Sequence, residues 1–483
     1  MSSLVLTRGG RIADALLFLC LTGSIWLIVN GAYRGVIDGN PFTVRWWDLL
    51  IAGLVIGGVR HAMWPQPSII VTLREWKAWF ASRPSLRDAL LAVGLTRVMV
   101  LLVGLIAVSA IGFPPDSGQL GSGRQAVPGL GARFDGNWYA GIAASGYDWE
   151  GSFDRQQNMA FFPAYPMLMR GVGALTGAMS KTLTPEQQLF RLTSCGIAIS
   201  LAAFLWAAWY FAQLARELLD DEHAPGALWL LASYPFAVFF SAAYTESLFL
   251  LAAVGAWYSL RHRQFVAGSL WGLLAGLARP NGFFLSVPLG LIALGLGEHT
   301  PAASGASNKD ATRARGSWRL PDLREVVTAS MPVIGMLLFT LYLYSRTHEW
   351  FAWAKMHAAW GRTFSAEVPL AGVTRAINSL LDLIVMRPFD ALNLFGLTFA
   401  IVSLWPVWRR LGFAWVAFIV INMIPPLFAG GLLSIGRLSA TMFPVFLALA
   451  GTLPRRSVPA VVAAFAMMQG LVAALFFTWR SLY

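Results

Sequence analysis

Apolar segments recur along almost the whole chain, and they constrain its fold more than any other feature. Runs of about 20 apolar residues are long enough to cross a bilayer, and an ordinary soluble core does not supply a dozen of them. Hydrophobic residues make up 57% of the 483 residues and charged residues only 12%. The Lys and Arg residues behind the net charge of +12 lie in short connections between apolar runs, so they indicate positive-inside topology and not nucleic-acid binding. The sequence predicts an all-α, polytopic membrane protein.

The apolar runs predict about 13 transmembrane helices, with the N-terminus inside and the C-terminus outside. The first run follows two arginines but no small-residue cleavage site follows it, so we expect a retained signal anchor. The predicted spans are Ala13–Val29, Leu49–Val59, Ala89–Ile111, Leu189–Leu214, Ala227–Ala242, Glu246–Leu260, Phe265–Ala278, Phe283–Leu296, Val326–Tyr344, Ala391–Val407, Phe413–Phe428, Leu438–Leu453 and Val458–Phe477.

The connections divide the chain into four predicted regions. A transmembrane hairpin with a cytoplasmic amphipathic link, 69–81, occupies residues 1–88, and a core at 89–297 includes an extracytoplasmic loop, 112–188. That loop begins with a Gly/Pro/Ser-rich linker, Pro114–Gly131, and continues with two short amphipathic segments, Trp138–Ser145 and Tyr165–Leu175. Residues 298–325 form a flexible basic cytoplasmic loop, and 326–483 form a C-terminal transmembrane region with a second extracytoplasmic loop, 346–388.

Metal and cofactor chemistry is not indicated by residue spacing. Cys20 and Cys195 form neither a disulfide framework nor a metal cluster. Asp148, Glu150 and Asp154 could together hold a hard cation, although a solvated loop is the simpler interpretation. The chain also shows no convincing internal repeat, which counts against transporter folds built from two related halves. We therefore predict no cofactor.

Asp135 is the strongest candidate catalytic residue. It lies between Arg133 and Asn137-Trp138-Tyr139 at a predicted membrane edge, where donors, water and aromatic faces are within reach. Such a carboxylate suits a general base. An Asp before a short helix also commonly caps the free N–H groups of that helix, so a purely structural role is an equal alternative.

Other polar residues fall on the same predicted side of the membrane. Arg279 lies in a tight Arg-Pro-Asn-Gly turn whose chemistry explains Asn281 but not the arginine. Arg437 could bind substrate or extend to lipid headgroups, and Glu246 could bind substrate or complement a helix dipole. Further candidates in the second extracytoplasmic loop are Lys355, His357 and Arg362, of which His357 could equally be structural.

Five motifs in order resemble one family. Residues 133–139 with Ile142 to Tyr147 are similar to the W-D-x-x-x-[FY]-x-x-I-A-x-x-G-Y segment of PIG-V type mannosyltransferases, the family of GPI mannosyltransferase 2 and its bacterial relatives. Phe134 replaces the Trp of that pattern, which keeps an aromatic face but removes an N–H donor. The resemblance covers about Ala89 to Leu453, and Trp360-Gly361-Arg362 looks like the bacterial members. The remaining motifs are Ala160 to Pro166, Tyr244 to Ser247, Ala278 to Gly282, and Ser434 to Arg437 with Phe443-Pro444.

The resemblance implies a GT-C glycosyltransferase of the inner (plasma) membrane whose active site faces the extracytoplasmic side. It implies transfer of a hexose, with mannose favoured, from a polyprenyl-phosphate donor to a lipid or glycolipid hydroxyl, with inversion and with Asp135 as base. The alternative is a lipid or solute transporter with a path lined by Glu246, Arg279 and Arg437. The candidate donor-binding residues are Arg279, Arg362, Arg437, Lys355, His357, Asn281 and Glu246, and the candidate sugar- or acceptor-lining residues are Arg133, Asn137, Trp138, Tyr139 and Tyr165.

Overall fold

A computed structural model describes residues 8–30, 32–37, 40–64, 78–114, 131, 133–297, 318–362, 371, 373–374, 388–480 and 482. Four predicted segments lie wholly or mostly outside these ranges: the amphipathic link at 69–81, the linker at 114–131, the basic loop at 298–325, and the part of the second extracytoplasmic loop beyond residue 362. The chain divides into two compact units, Met1–Arg87 and Asp88–Tyr483.

The first unit contains a helical hairpin and a small β-hairpin. Helices α1 (Arg8–Asn30) and α2 (Trp46–Met63) are joined by an ion pair in which Arg60 Nε lies 3.0 Å from Asp14 Oδ1. Strands β1 (Tyr33–Ile37) and β2 (Asn40–Val44) pair antiparallel. The all-α prediction missed these strands, because attention to 20-residue apolar runs overlooks two five-residue β-rich segments around an Asp-Gly turn signal.

The regular secondary structure described in the second unit consists of helices joined by turns and irregular segments. Its α-helices are α3 (Pro84–Ala110), α4 (Gly136–Ser145), α5 (Ala164–Leu175), α6 (Pro185–Leu218), α7 (Ala224–Ser233), α8 (Glu246–Arg261), α9 (Phe265–Ala278), α10 (Ser286–Ala293), α11 (Leu323–Thr347), α12 (Ala352–Met356), α13 (Pro388–Arg410), α14 (Phe413–Gly430), α15 (Ile435–Ser439), α16 (Phe443–Thr452) and α17 (Val458–Phe477). Its 3₁₀ helices are Asn158–Ala160, Pro235–Ser241, Pro280–Leu285, His357–Trp360 and Arg455–Ser457.

The composition and length of these helices confirm the predicted multi-pass membrane fold. Among the described helices, six are long and apolar enough to cross a bilayer, or seven if one bent pair counts as a single span. Several other apolar helices are shorter than a full crossing. The count of about 13 spans stays a prediction, since the short helices do not decide it.

The predicted span Ala227–Ala242 is broken in its middle. Helix α7 ends at Ser233, and the 3₁₀ helix that starts at Pro235 leaves at an angle of 78°. Proline has no N–H to continue the helical ladder and clashes with the preceding turn, which explains the break. The predicted span Leu438–Leu453 is interrupted in the same way, between α15 and α16, just before Pro444. Arg437 therefore lies on a short separate helix and not at the start of a full span.

Arg97 and Gln469 donate hydrogen bonds to carbonyl groups at the break after α7, where the helical ladder is interrupted. Arg97 Nη2 donates to the carbonyl of Ala232 at 2.7 Å, and Nη1 donates to the carbonyl of Ala237. Gln469 Nε2 donates to the carbonyl of Tyr234 at 2.9 Å. Unsatisfied carbonyls in the membrane interior cost several kcal/mol each, so these two side chains are what allows the break.

We expect Arg97→Met to destabilise the folded protein by about 2 kcal/mol, since it removes charged hydrogen bonds and leaves buried carbonyls unpaired. The measurement is SDS-induced or thermal unfolding in detergent. Arg324→Met is the matched control, because Arg324 is an exposed arginine in the first turn of α11. Equal stability of the two variants would show that Arg97 does not support the break.

Candidate active site

Asp135 does not cap the helix that it precedes. Its side chain accepts no hydrogen bond from the described N–H groups of α4. One carboxylate oxygen, Oδ2, instead accepts a hydrogen bond from Arg437 Nη1 at 2.7 Å. The alternative that Asp135 serves as a helix cap is therefore not observed. Its carboxylate is instead held by an arginine 302 residues away in the chain.

The backbone around Asp135 is fixed by its neighbours. Phe134 has a φ of +50°, a region that non-glycine residues adopt at a cost of about 1 kcal/mol or more, and its ring packs on Trp479 and Phe476. The hydroxyl of Tyr244 accepts the N–H of Asp135 and donates to the carbonyl of Arg133, both at 3.1 Å. This strained turn aims the carboxylate toward Arg437.

Glu246 extends the Asp135–Arg437 pair into a longer ionic chain. It is the first residue of α8 and only 1% exposed. Its Oε1 lies 3.2 Å from Arg437 Nε and 3.2 Å from Arg279 Nη1. We call Asp135, Arg437, Glu246 and Arg279 the ionic chain. It joins the turn before α4, the start of α8, the turn after α9 and helix α15.

The ionic chain borders a cavity of about 550 Å³. Most of the rest of the wall is aromatic or apolar, so charges on it are poorly screened. The predicted site residues on the wall are Asp135, Tyr139, Arg279, Asn281, His357, Arg362 and Arg437, and the aromatic ones are Phe161, Phe162, Phe283, Phe284, Trp353 and Trp360. Thr245, Ser434, Pro425 and Pro426 also line it. Glu246 lies directly behind this wall, in contact with two of its arginines.

Two cavity residues in and just after the 3₁₀ helix His357–Trp360 have shifted pKa values. Burial, and to a smaller extent the neighbouring Arg437, lowers the pKa of Arg362 to about 10, so its guanidinium stays protonated at neutral pH. Arg362 Nη2 donates a long hydrogen bond of 3.4 Å to Ser434 Oγ. Burial and the charge of Arg362 lower the pKa of His357 to about 4. His357 is therefore a neutral hydrogen-bonding group in this cavity and not a cation.

Two further wall residues have well-defined neighbours. Asn281 Nδ2 donates to Asn422 Oδ1 at 2.8 Å, which ties the turn after α9 to α14. Burial raises the pKa of Tyr139, as do the charges of Asp135 and Glu246, so its hydroxyl stays protonated. Both residues can offer neutral hydrogen bonds to a bound polar ligand.

The structure leaves several predicted site residues outside the cavity wall. Lys355 has a half-exposed side chain on the protein surface, where it forms an ion pair with Glu349. Arg133 is buried, and its Nε donates to the carbonyl of Phe477 at 2.9 Å. Tyr165 is buried as well, with its hydroxyl 2.7 Å from both Gly196 O and Ser200 Oγ. Arg133 and Tyr165 therefore support the fold around the site.

The remaining two predicted residues lie nearby. Trp138 stacks on Phe161, which lines the cavity, with ring centroids 5.7 Å apart. Asn137 is partly buried in the first turn of α4 and is not among the lining residues.

Among the described residues no group of three His, Cys, Asp or Glu side chains could hold a metal ion. Asp148 instead bonds with Asn158 through its carboxylate at 3.2 Å and its N–H at 3.1 Å.

Sequence reasoning missed part of the wall. Thr245 and Ser434 line the cavity and lie inside motifs already recognised. Their proximity in sequence to Glu246 and Arg437 could have indicated this. Phe283 and Phe284 look like ordinary membrane residues in the sequence. Pro425 and Pro426 lie within the apolar run of α14, and only the way that helices pack brings them to the cavity.

Comparison with known proteins confirms the predicted resemblance. Residues 126–293 match the family model described as Mannosyltransferase (PIG-V). This segment contains Asp135, Glu246, Arg279 and Asn281, whereas Arg362 and Arg437 lie beyond it. GPI mannosyltransferase 2 of Drosophila melanogaster is 28% identical over 173 residues, which cover 33% of this chain and 36% of that protein. GPI mannosyltransferase 2 of Drosophila pseudoobscura pseudoobscura is 23% identical over 270 residues, covering 51% of this chain and 55% of that one.

The chain thus spans between a third and about half of the length of these curated relatives. Among solved structures, the oligosaccharyltransferase of Archaeoglobus fulgidus, in complex with zinc and sulfate, aligns with a TM-score of 0.39 and 14% identity over 79% of this chain and 53% of that one. The archaeal enzyme in complex with an inhibitory peptide and a dolichol-phosphate aligns with a TM-score of 0.38 and 13% identity, over 80% of this chain and 56% of that one.

The neutral state of His357 predicts a measurable pH dependence. A histidine whose pKa falls from 6.5 to about 4 on folding binds its proton more readily in the unfolded chain, so the stability that it contributes is complete above pH 6.5 and is lost as the pH falls toward 4. We expect wild type to lose about 3 kcal/mol more than His357→Gln between pH 7 and pH 4. Unfolding of both proteins in detergent at several pH values measures this, and parallel curves would contradict it.

Proposed function

We propose that this chain, which carries the PIG-V mannosyltransferase segment, is an integral membrane glycosyltransferase. It transfers a hexose, with mannose favoured by the family, from a polyprenyl-phosphate-sugar to a hydroxyl of a lipid or glycolipid acceptor, on the extracytoplasmic face of the plasma membrane. The observation that carries this proposal is the ionic chain, because it places two carboxylates and two arginines on or directly behind the wall of a single largely apolar cavity.

Asp135 supplies the general base. Arg437 holds Oδ2, which orients the carboxylate at the cavity wall with its side chain 18% exposed. The carboxylate takes the proton of the acceptor hydroxyl while that oxygen attacks the anomeric carbon of the donor. The bond from the anomeric carbon to the phosphate oxygen breaks on the opposite face of the sugar, so the configuration inverts and the phosphate leaves with its lipid.

Arg362 is the strongest candidate to bind the donor phosphate. Within the described part of the chain no carboxylate lies in ion-pair distance of its guanidinium, whereas Arg279 and Arg437 each contact one or two carboxylates. A partly desolvated guanidinium stabilises the charge that develops on the leaving phosphate. Arg279 lies on the same cavity wall and can add to this stabilisation.

The charge balance of the site fits a monophosphate donor. Among the described residues of the cavity wall and the ionic chain, three guanidinium groups face two carboxylates, which leaves one net positive charge. A polyprenyl-phosphate-sugar is a phosphodiester with one negative charge, so the complex is neutral. A diphosphate-linked donor would leave uncompensated charge in a poorly screened cavity, which is costly.

The apolar wall suits a lipid-linked substrate. Phe283 and Phe284 on one side and Pro425 and Pro426 on the other are half-buried, and they line the cavity between the 3₁₀ helix Pro280–Leu285 and α14. An isoprenoid chain can lie against this surface. The transporter alternative predicted a path lined by Glu246, but that side chain is buried behind the wall between two arginines, which favours the enzyme.

We expect Asp135→Asn to lower transfer about 10²- to 10⁴-fold, the usual contribution of a general base, while donor still binds. The assay uses purified protein, radiolabelled polyprenyl-phosphate-mannose and a lipid extract as acceptor. Asp154→Asn, an exposed aspartate bonded to Ser152, is the matched control and should keep full activity. Full activity of Asp135→Asn would refute its role. Absence of labelled product with wild type and mannose, glucose or other polyprenyl sugars would refute the enzyme.

Arg362→Gln should raise the KM for the donor and lower kcat/KM about 10- to 100-fold, since it removes charged hydrogen bonds to the phosphate. Arg362→Lys should recover only part of this, because lysine keeps the charge but not the planar fork. Lys355→Gln is the control for removing one cation near the site, and we expect less than about a twofold change because Lys355 pairs with Glu349 outside the wall. A larger effect for Lys355→Gln than for Arg362→Gln would reverse this assignment.

A further inference from the structure

We infer that Glu246 acts as a buried counter-ion that sets the net charge of the cavity, and that it thereby lets the lipid phosphate product leave. With Glu246 present, the net positive charge of the site balances the single negative charge of a phosphodiester donor. It does not balance the two negative charges of the phosphomonoester that the reaction produces. The inference rests on the proposed function, since it requires a lipid phosphate as the leaving group.

The contacts of Glu246 are those of a counter-ion. Its Oε1 lies at 3.2 Å from both arginine nitrogens, and neither carboxylate oxygen has a well-aligned hydrogen bond to any described group. A carboxylate that fixed the orientation of an arginine would form aligned, bidentate bonds. Glu246 therefore acts mainly through its charge, and burial at 1% exposure keeps that charge poorly screened.

Glu246 cannot bind the phosphate itself, because two anions repel. The charged groups around it are Arg279 from the turn after α9, Arg437 from α15 and Asp135 from the turn before α4. Tyr139 on α4 and Tyr165 on α5 also face it as neutral groups, since burial raises the pKa of both phenols. Without Glu246, two neighbouring guanidinium groups would share one carboxylate, Asp135.

The reaction changes the charge of the ligand while the total charge is conserved. The acceptor proton moves to Asp135, and the broken glycosidic bond leaves its electron pair on the phosphate oxygen. At that moment the site carries two net positive charges against a doubly charged phosphomonoester. Asp135 then returns its proton to solvent, the site falls to one positive charge, and the product is left with excess negative charge. A phosphomonoester has its second pKa near 6, so this mismatch exists at neutral pH.

Replacing Glu246 by glutamine changes the outcome of that last step. The site would keep two net positive charges after Asp135 has lost its proton, and these would still match the product. The expected consequence is tight product retention. A glutamic acid to glutamine change preserves shape, so this effect is separable from a loss of packing.

Binding of two matched ligands tests the inference without any need for catalysis. Decyl phosphate is a monoester and methyl decyl phosphate a diester, so they share a chain and differ by one charge. We expect Glu246→Gln to shift the ratio of their Kd values at pH 7.5 about tenfold toward the monoester, the scale of one charge at partly buried distances. The ligands are titrated into purified protein in neutral detergent by calorimetry.

Three further variants make the test specific. Glu246→Asp keeps the charge and should keep the wild-type ratio. Glu349→Gln removes an exposed carboxylate outside the cavity and should also leave the ratio unchanged. Arg279→Gln should shift the ratio in the opposite direction, and Glu246→Gln combined with Arg279→Gln should return it toward wild type, because the net charge is then restored. Arg279→Gln keeps the test decisive if Glu246→Gln does not fold.

The pH supplies an internal control. At pH 5 the monoester carries mostly one charge, so the ratio shift in Glu246→Gln should shrink several-fold relative to pH 7.5. A shift caused by altered shape would persist. If both ligands bind wild type but neither Glu246→Gln nor Arg279→Gln moves the ratio by more than about twofold, the inference is wrong while the proposed function stands. If neither ligand binds wild type, the proposal of a lipid-phosphate donor is wrong, and the inference about Glu246 is wrong as well.

Discussion

The ion pair between Asp135 and Arg437 is the contact on which the rest of the site depends. It joins the turn before α4 to helix α15, two places 302 residues apart in the chain. Each charge is costly away from water unless the other is present. The pair therefore requires that α4 and α15 meet at one depth, and this meeting creates a wall on which substrate chemistry can take place.

Broken helices make that meeting possible. A span that ran unbroken through residues 438–453 would place Arg437 at the end of a long rod, but the interruption before Pro444 lets the short helix α15 carry it to the cavity. The break at Pro235 serves the same region, because the 3₁₀ helix after it carries Phe239. The ring centroid of Phe239 lies 5.8 Å from the guanidinium carbon of Arg437. Arg97 and Gln469 supply the donors that make this break tolerable.

The sequence was sufficient for the class of fold and for much of the wall, and physical reasons explain the rest. Long apolar runs reveal membrane helices by themselves, and motif residues such as Asp135, Arg279 and Arg437 stand out because charge is rare in such a chain. Charge type alone cannot show partner choice. Lys355 and Arg362 are both cations of one loop, yet Lys355 pairs with Glu349 outside while Arg362 faces the cavity. The breaks at prolines and the β-hairpin were missed because hydropathy shows how long an apolar run is. It does not show whether that run forms one continuous helix, and it does not reveal short strands.

The low polarity of the surroundings gives the small number of charges its importance. In water, the high dielectric constant would weaken the field of one extra carboxylate and salt would screen it beyond about 10 Å, so the site would distinguish singly and doubly charged phosphates less strongly. Here Glu246 is enclosed, and most of the cavity wall is aromatic or apolar. Each formal charge then acts over the whole cavity. An enzyme of the proposed kind must both attract a charged lipid donor and release a more highly charged product. Two carboxylates set against three arginines suit both requirements because the largely apolar wall screens their charges so little.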